Sequence, residues 1–391
     1  MVRGDLQDCD EETYAPVARQ STTRMLLAAA ALHDLEIDQM DVKTAFLNAP
    51  LPDDSEVYIT PLPGMDLPTG SALKLRRALY GLKQAPRVWQ DELSGSLKHL
   101  GFAKSTADDS LYIHRSIPHC FLLVYVDDVL VVGEAAVVKI LKQKLSQIYE
   151  MTDLGPASKF VGLEIARDRE NRRLTVHQTS YTKKLLSRYG FDGSVKTTST
   201  PMEPNLKLRK DNSTPEYADE LLSEVNIRWY QQLVRGLMYL MMSSRPDLAF
   251  ALSRLSKFFA APRASHQRAA LYVLRYLAGT TNYGITYGGS TTNRPYNGFT
   301  DADWAGDVDN RKSTGGYVFL LTGGAVSWRS KQQNSVARST TEAEYIAASD
   351  AAAEVVWAHR LLKELDAHDG RLTKLFIDNE SAMKLAKNAV C

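Results

Sequence analysis

Cysteine is scarce in this chain of 391 residues: Cys9, Cys120 and Cys391 are far apart and form no Cys-x-x-Cys pair. That argues against a disulfide framework and against a structural zinc site, and free thiols fit a reducing compartment. Net charge is nearly absent too, with 47 Lys plus Arg against 46 Asp plus Glu, a balance of +1. Bulk charge therefore argues neither for nor against nucleic acid, and only local clustering is informative. Long apolar runs are missing. The longest, residues 120–132, is broken by Asp127 and Asp128, whereas a membrane span needs about 20 apolar residues. Residues 1–12 are acidic and carry no apolar stretch of signal-peptide type. The reading is a soluble intracellular protein without a membrane partner. There is no internal repeat and no low-complexity tract. What is present, 44% hydrophobic and 24% charged residues, is an ordinary globular balance, and the length suits two or three domains of ~100–200 residues each.

Hydropathy patterning then divides the chain. Residues 13–150 mix helix and strand signals. A Leu- and Ala-rich helix is expected over 22–33 and a strand over 35–42. A proline-rich loop over 50–69 surrounds a short strand at 57–60. A helix over 84–100 places Val88, Trp89, Leu93 and Leu97 on one stripe, and 121–132 reads as two apolar strands around an Asp-Asp turn. A strand (160–166), a charged turn, a second strand (174–178) and a helix (182–189) follow. Residues 196–220 read as a linker, and 225–278 as all-helical. From Tyr296 strands return at 296–303, 316–321 and 325–329, with Thr322-Gly323-Gly324 turning a hairpin. A long helix over 339–365 opens with a capping box of Ser339 and Glu342, and a strand at 372–377 and a short helix complete the pattern.

The sharpest local signal is Tyr125-Val126-Asp127-Asp128 inside the apolar run. Aspartates between two such strands are costly unless something neutralises them. A tight hairpin prefers Asn-Gly or Asp-Gly, and Asp-Asp fails that preference; the plain alternative is a solvated turn. Upstream, Asp41 in Gln39-Met40-Asp41-Val42-Lys43-Thr44-Ala45-Phe46 ends another expected strand. Divalent ions ~3.5–4 Å apart on carboxylates clamp the attacking and leaving oxygens of a phosphoryl transfer, and Mg²⁺ favours a few carboxylates plus phosphate oxygens. Asp41, Asp127 and Asp128 supply such a set if their strands are neighbours.

With Leu79-Tyr80-Gly81-Leu82-Lys83-Gln84-Ala85-Pro86-Arg87-Val88-Trp89 between them, these motifs resemble the reverse transcriptase of copia-type (pseudovirus) long-terminal-repeat retrotransposons. Phe160-Val161-Gly162-Leu163-Glu164-Ile165 is similar to the primer-contacting segment of that family. The resemblance implies a right-hand polymerase in an α/β (α+β) fold. Fingers and palm would span 12–195, and a linker with thumb or connection helices 196–290. It implies that Asp41, Asp127 and Asp128 hold two Mg²⁺ ions, one activating the primer 3′-hydroxyl and one binding the deoxynucleoside triphosphate. Phe46 would sit under the sugar and exclude a 2′-hydroxyl, or else be a core residue of a short helix. Gly81 would let the backbone approach the base pair, or simply open a helix. Lys83 would contact phosphate, or stand in solvent.

A second set of acids follows. Asp301 lies at a strand end, while Asp303 and Asp307 read as turn residues. Capping explains Glu342 but not Glu344, which shares its helical stripe with Ala348, Ala351 and Val355. Asp378 ends the last strand. Strand–strand–strand–helix–strand with acids at these places resembles the ribonuclease H fold that copia-type proteins carry after the polymerase, over 296–391 here and C-terminally incomplete. Asp301, Glu344 and Asp378 would then bind metal and cleave the RNA of an RNA–DNA hybrid; the plain alternative is a set of surface acids. Arg254, Lys257, Arg263, Arg268 and Arg275 either grip a nucleic-acid backbone or form a solvated helix face. Trp304, Trp328 and Trp357 read as core aromatics.

The family implies an RNA template, a DNA or RNA primer and integrase and protease parts elsewhere in the polyprotein. It also has a basic strand upstream, and a further strand, helix and acid downstream. The expectation is a truncated copy of the polymerase–ribonuclease H region. The alternatives are a catalytically inactive nucleic-acid-binding remnant, or a nucleotidyl cyclase on a similar palm, which needs no primer.

Overall fold

The computed structural model describes residues 7, 13–61, 64–68, 70–210, 219–289 and 296–388. Cys9, Cys391 and the middle of the 196–220 linker lie outside the described residues. The chain divides into two compact units, the first comprising Met1–Thr23, His33–Ala157 and Glu364–Asp366, the second Arg24–Leu32, Ser158–Lys363 and Ala367–Cys391. Both are mixed α/β, and no helix of the described residues is long and apolar enough to cross a membrane.

The elements up to residue 157 are α1 (Gln20–Leu32), β1 (Glu36–Val42), α2 (Ala45–Asn48), β2 (Tyr58–Ile59), β3 (Leu73–Lys74), α3 (Ala85–His99), β4 (Phe102–Lys104), β5 (Leu111–His114), β6 (Phe121–Tyr125), β7 (Asp128–Gly133), α4 (Ala135–Ile148) and β8 (Met151–Pro156). Six strands form one antiparallel sheet in the order β4-β5-β6-β7-β1-β8. Trp89, Leu93 and Leu97 of α3 and Val138, Leu141 and Leu145 of α4 join Met40, Val42, Leu122, Val124, Val129 and Val131 in one apolar core. Alternation along a strand then fixes the rest. Gln39, Asp41 and Asp128 belong to the face turned away from that core. β6 and β7 are buried almost throughout, which is why their sequence is continuously apolar and not alternating.

From residue 158 the elements are β9 (Lys159–Phe160), β10 (Leu163–Asp168), β11 (Arg173–His177), α5 (Thr179–Arg188), α6 (Glu224–Ser243), α7 (Ala249–Leu255), α8 (Ala264–Gly279), β12 (Gly284–Gly288), β13 (Asn297–Ala302), β14 (Thr314–Leu321), β15 (Gly324–Gln332), α9 (Thr340–Glu364), β16 (Lys374–Phe376) and α10 (Glu380–Lys387). The single strand expected over 160–166 is broken, because Val161 and Gly162 both have positive φ (46° and 78°) and separate β9 from β10. Helices α5 to α8 share an apolar cluster built on Leu185, Tyr230, Leu237, Leu252 and Leu274. The last sheet runs β15-β14-β13-β16, antiparallel except that β13 and β16 are parallel. Its β14–β15 hairpin turns on Thr322 and Gly323, both at positive φ (48° and 90°), as a two-residue type I′ turn requires.

Single residues differ too: Lys257 is neither on a solvated face nor free to grip a backbone, since it is ion-paired to Asp307 at 3.0 Å. Trp304 is 52% exposed, not core, with its indole N–H on the carbonyl of Ala337. Arg254 is 5% exposed, not a solvated gripping residue, and donates to the carbonyl of Gly306.

Gly298 shows how tightly β13 is held. A Cβ there would meet the ring of the fully buried Phe319 at 2.1 Å. Gly298→Ala is expected to destabilise the chain by about 1–3 kcal/mol, as overpacking does. Urea unfolding read by circular dichroism checks this, and an unchanged midpoint would show that the Phe319 ring has room to move.

Candidate active sites

The first acidic site is built by strand register. Asp41 of β1 and Asp128 of β7 are directly opposed partners, so their side chains share a face. Asp127 sits one residue earlier, in the turn. The sequence reading placed both aspartates in that turn, but Val124 pairs with Val129 and Tyr125 with Asp128. Burial of the two valines sets this register and leaves Val126 and Asp127 as the loop residues. The main chain ties the turn to β1, since the amide of Val42 donates to the carbonyl of Asp127 at 2.9 Å. Gln39 Nε2 donates to Asp128 Oδ1 at 2.9 Å.

Burial, and after it the charges of Asp127 and Asp128, raise the pKa of the Asp41 carboxyl above the ordinary value. A carboxylate that resists ionisation beside two others is a place where a cation is favourable. Three carboxylates are hard oxygen donors, the set Mg²⁺ prefers.

The neighbouring residues of the motif lie as follows. Phe46 is 8% exposed within the α3–α4 core, its ring 4.5 Å from that of Tyr80. Gly81 has φ 105°, a conformation that needs glycine. Lys83 Nζ donates to the carbonyl of Gln7 at 2.6 Å, and its amide to Gln7 Oε1 at 3.0 Å. Tyr80 is a residue to which the sequence reading gave no role. Burial and the charges of Asp127 and Asp41 raise its hydroxyl pKa, against the lowering effect of backbone hydrogen bonds from Ala45 and Phe46. The only advance signal was its place beside Gly81.

The second acidic site is more tightly gathered. One ligand oxygen from each of Asp301, Glu344 and Asp378 lies within 4.8 Å of the others, and among the described residues this is the one group of three or more potential ligands so close. Parallel pairing of β13 and β16 puts their C-terminal ends side by side, with Asp301 near one end and Asp378 just past the other. Glu344 comes from the second turn of α9. A Cβ on Gly315 would lie 3.1 Å from that of Ala347, so this glycine lets α9 approach the sheet closely. Ser339 Oγ accepts from the amide of Glu342 at 3.1 Å and caps the helix start.

Glu344 is 5% exposed. Its Oε1 accepts from the amide of Ala302 at 3.1 Å, while Oε2 is buried without a hydrogen-bond partner. Burial is the first cause of a pKa pushed up to about 7; the Ala302 amide opposes it, while the charge of Asp301, the contact of the two carboxyls and the charge of Asp378 add to it. An orphaned buried oxygen among carboxylates fits a hard divalent cation. Asp303 and Asp307 are spent on the adjoining loop. Asp303 accepts from the amide of Thr314, and Asp307 from Lys257, Gln332 and the amides of Asp309 and Asn310.

Comparison with known proteins places the chain. Residues 3–204 match the family described as reverse transcriptase (RNA-dependent DNA polymerase). The Pol polyprotein from transposon TNT 1-94 of Nicotiana tabacum, named as retrovirus-related, is 40% identical over 385 residues, covering 97% of this chain and 28% of the relative. That from transposon RE1 of Arabidopsis thaliana is 38% identical over 384 residues, covering 97% and 25%. The putative transposon Ty5-1 protein of Saccharomyces cerevisiae is 35% identical over 321 residues, covering 81% of this chain and all of the relative. The chain belongs to the copia-type retrotransposon Pol proteins. It spans about a quarter of the length of the Pol polyproteins it matches. The reverse transcriptase match takes in Asp41, Asp127 and Asp128, whereas the second acidic site of this Pol chain lies beyond it.

Glu344 gives that second site a pH signature. An unfolded glutamate releases its proton near 4.5 and the folded one near 7. Between these values the folded chain holds a proton that the unfolded chain has lost, so this group's contribution to stability falls as pH rises from about 4.5 to 7. Without divalent ions, thermal unfolding midpoints of wild type relative to Glu344→Gln should decline across that window and stay level above it. Mg²⁺ at neutral pH should stabilise wild type more than the variant. Parallel pH profiles would show that Glu344 titrates normally.

Proposed function

We propose that the chain is the reverse transcriptase–ribonuclease H part of a copia-type Pol protein, extending a DNA or RNA primer on an RNA template with deoxynucleoside triphosphates and cleaving RNA in the hybrid. The observation that carries the polymerase reading is the opposition of Asp41 and Asp128 beside a turn bearing Asp127, within a chain of the reverse transcriptase family. The six-stranded sheet with α3 and α4 is the palm in this reading. The carboxylates of Asp41, Asp127 and Asp128 hold Mg²⁺ on the face opposite the apolar core. Bound there, Mg²⁺ supplies activation of the primer hydroxyl and neutralisation of the triphosphate. The side chains contribute position and charge. Gln39 restrains Asp128, the sheet register fixes Asp41 against it, and the charges of Asp127 and Asp41 act on the Tyr80 hydroxyl. Phe46, in the apolar core with its ring 4.5 Å from that of Tyr80, is the candidate for rejecting a 2′-hydroxyl, Gly81 for close approach to the base pair, and Lys83 for phosphate.

The ribonuclease H reading rests on the orphaned Oε2 of Glu344 between Asp301 and Asp378, and on the strand order with one parallel pair and α9 between β15 and β16. The three acids are the candidate ligands of Mg²⁺ there.

Two assays on one preparation test both readings. Primer extension on an RNA template should vanish in Asp127→Asn/Asp128→Asn and persist in Glu344→Gln. Cleavage of RNA in a preformed hybrid should show the reverse pattern. Extension that survives loss of both aspartates sinks the polymerase assignment. A folded wild-type chain that binds hybrid but neither extends nor cleaves is a nucleic-acid-binding remnant.

A further inference from the structure

The turn between β6 and β7 carries a backbone problem that its own residues do not solve. Val126 has φ 60°, in the left-handed region that β-branched side chains avoid. It is the first of the two loop residues between Tyr125 and Asp128. In a two-residue turn with positive φ at that first position, glycine is the usual occupant. A valine there persists only where the surroundings hold it.

The holding group comes from α3. The indole Nε1 of Trp89 donates to the carbonyl of Val126 at 2.8 Å. Trp89 is 1% exposed and packs edge-on against Tyr149, with ring centroids 5.2 Å apart. Tyr149 is itself anchored by its hydroxyl to Ser96 Oγ at 2.8 Å, so the indole has little freedom to follow a moving turn. Across the loop, the Val42 amide holds the carbonyl of Asp127 at 2.9 Å. The peptide group between Val126 and Asp127 has its carbonyl fixed by Trp89, and Asp127 is fixed by β1. Asp128 is additionally pinned by pairing with Tyr125 and Asp41, which makes Asp127 the carboxylate most sensitive to loss of the clamp.

We propose that Trp89 is a positioning residue whose indole N–H holds Val126 in its left-handed conformation and thereby sets the Asp127 carboxylate for metal binding with Asp41 and Asp128. The inference rests on the reading of these three acids as a metal site. It separates the N–H of Trp89 from its bulk, because glycine at position 126 adopts the same φ without help.

The test uses the full chain carrying Asp301→Asn and Glu344→Gln, which silence the second acidic site, and Mn²⁺ as the probe, its free ion read by electron paramagnetic resonance. Trp89→Phe should weaken Mn²⁺ binding roughly tenfold, equivalent to about 1.4 kcal/mol, and Val126→Gly added to it should restore most of that loss. In primer extension the same pair should show a fall and recovery of kcat, with KM for template–primer unchanged. Unchanged Mn²⁺ affinity in Trp89→Phe overturns the proposal, as does a loss that Val126→Gly does not recover, since that is the behaviour of a packing residue. Fall and recovery of Mn²⁺ affinity in a chain that extends no primer would keep the clamp and reject the polymerase reading. Should Trp89→Phe fail to fold, the ¹⁵N-labelled indole resonance of Trp89 decides. It should be protected from solvent exchange and shift on Mg²⁺ addition, with no shift in Asp127→Asn. An unprotected, unresponsive indole overturns the clamp.

Discussion

Carboxylates repel one another, and the repulsion grows as water is withdrawn. Each acidic site must therefore hold like charges together with structure formed elsewhere. At the first site the restraint is a β-ladder. Pairing of β1 with β7 opposes Asp41 and Asp128, and that pairing is stabilised by apolar residues of the other face, not by the acids. A slip of one residue would turn Asp41 into the core and Met40 out of it, so hydrophobic burial guards the geometry of the charges. At the second site the restraint is a parallel strand pair plus a close-packed helix. Asp301 and Asp378 follow from β13 lying beside β16, and Glu344 from the approach of α9 over Gly315.

The raised carboxyls of Asp41 and Glu344 are the electrostatic record of that arrangement. In both, burial is the leading cause and neighbouring acids add to it. The polar groups supplied to them are few. Glu344 has one amide on Oε1 and nothing on Oε2, whereas Asp307 nearby accepts from a lysine, a glutamine and two amides, and against burial Lys257, the Asp309 amide and Gln332 hold its pKa down. Asp307, which fastens a loop, is saturated with donors, and Glu344 is not. That contrast separates Glu344 from Asp307 more sharply than position in the sequence does.

Period and composition made much of this legible. The stripe of Glu344, Ala348 and Ala351 is a helical repeat, and α9 runs almost as expected. The strand carrying Asp41 and the helix carrying Trp89 also fall within a residue or two of expectation. Pairing and long-range contact were not legible. Which two residues form the turn before Asp128 depends on Val124 meeting Val129, and a single strand carries no information about its partner's register. The break at Val161 and Gly162 was hidden because a valine at positive φ contradicts local preference. The glycine answers to its φ of 78°, which other side chains rarely adopt. Arg254 looked like a solvent-facing cation until its burial and its acceptor at Gly306 were visible.

The two acidic sites also differ in burial. Asp41 is half-buried on a sheet face, with two acidic neighbours that water can still screen. Glu344 is nearly sealed, and its Oε2 is buried without a hydrogen-bond partner. Burial and the neighbouring acids raise its pKa, so a cation bound there would displace a proton, which couples affinity to pH. A cation at the second site, as proposed above, would therefore compete with a proton on this buried glutamate.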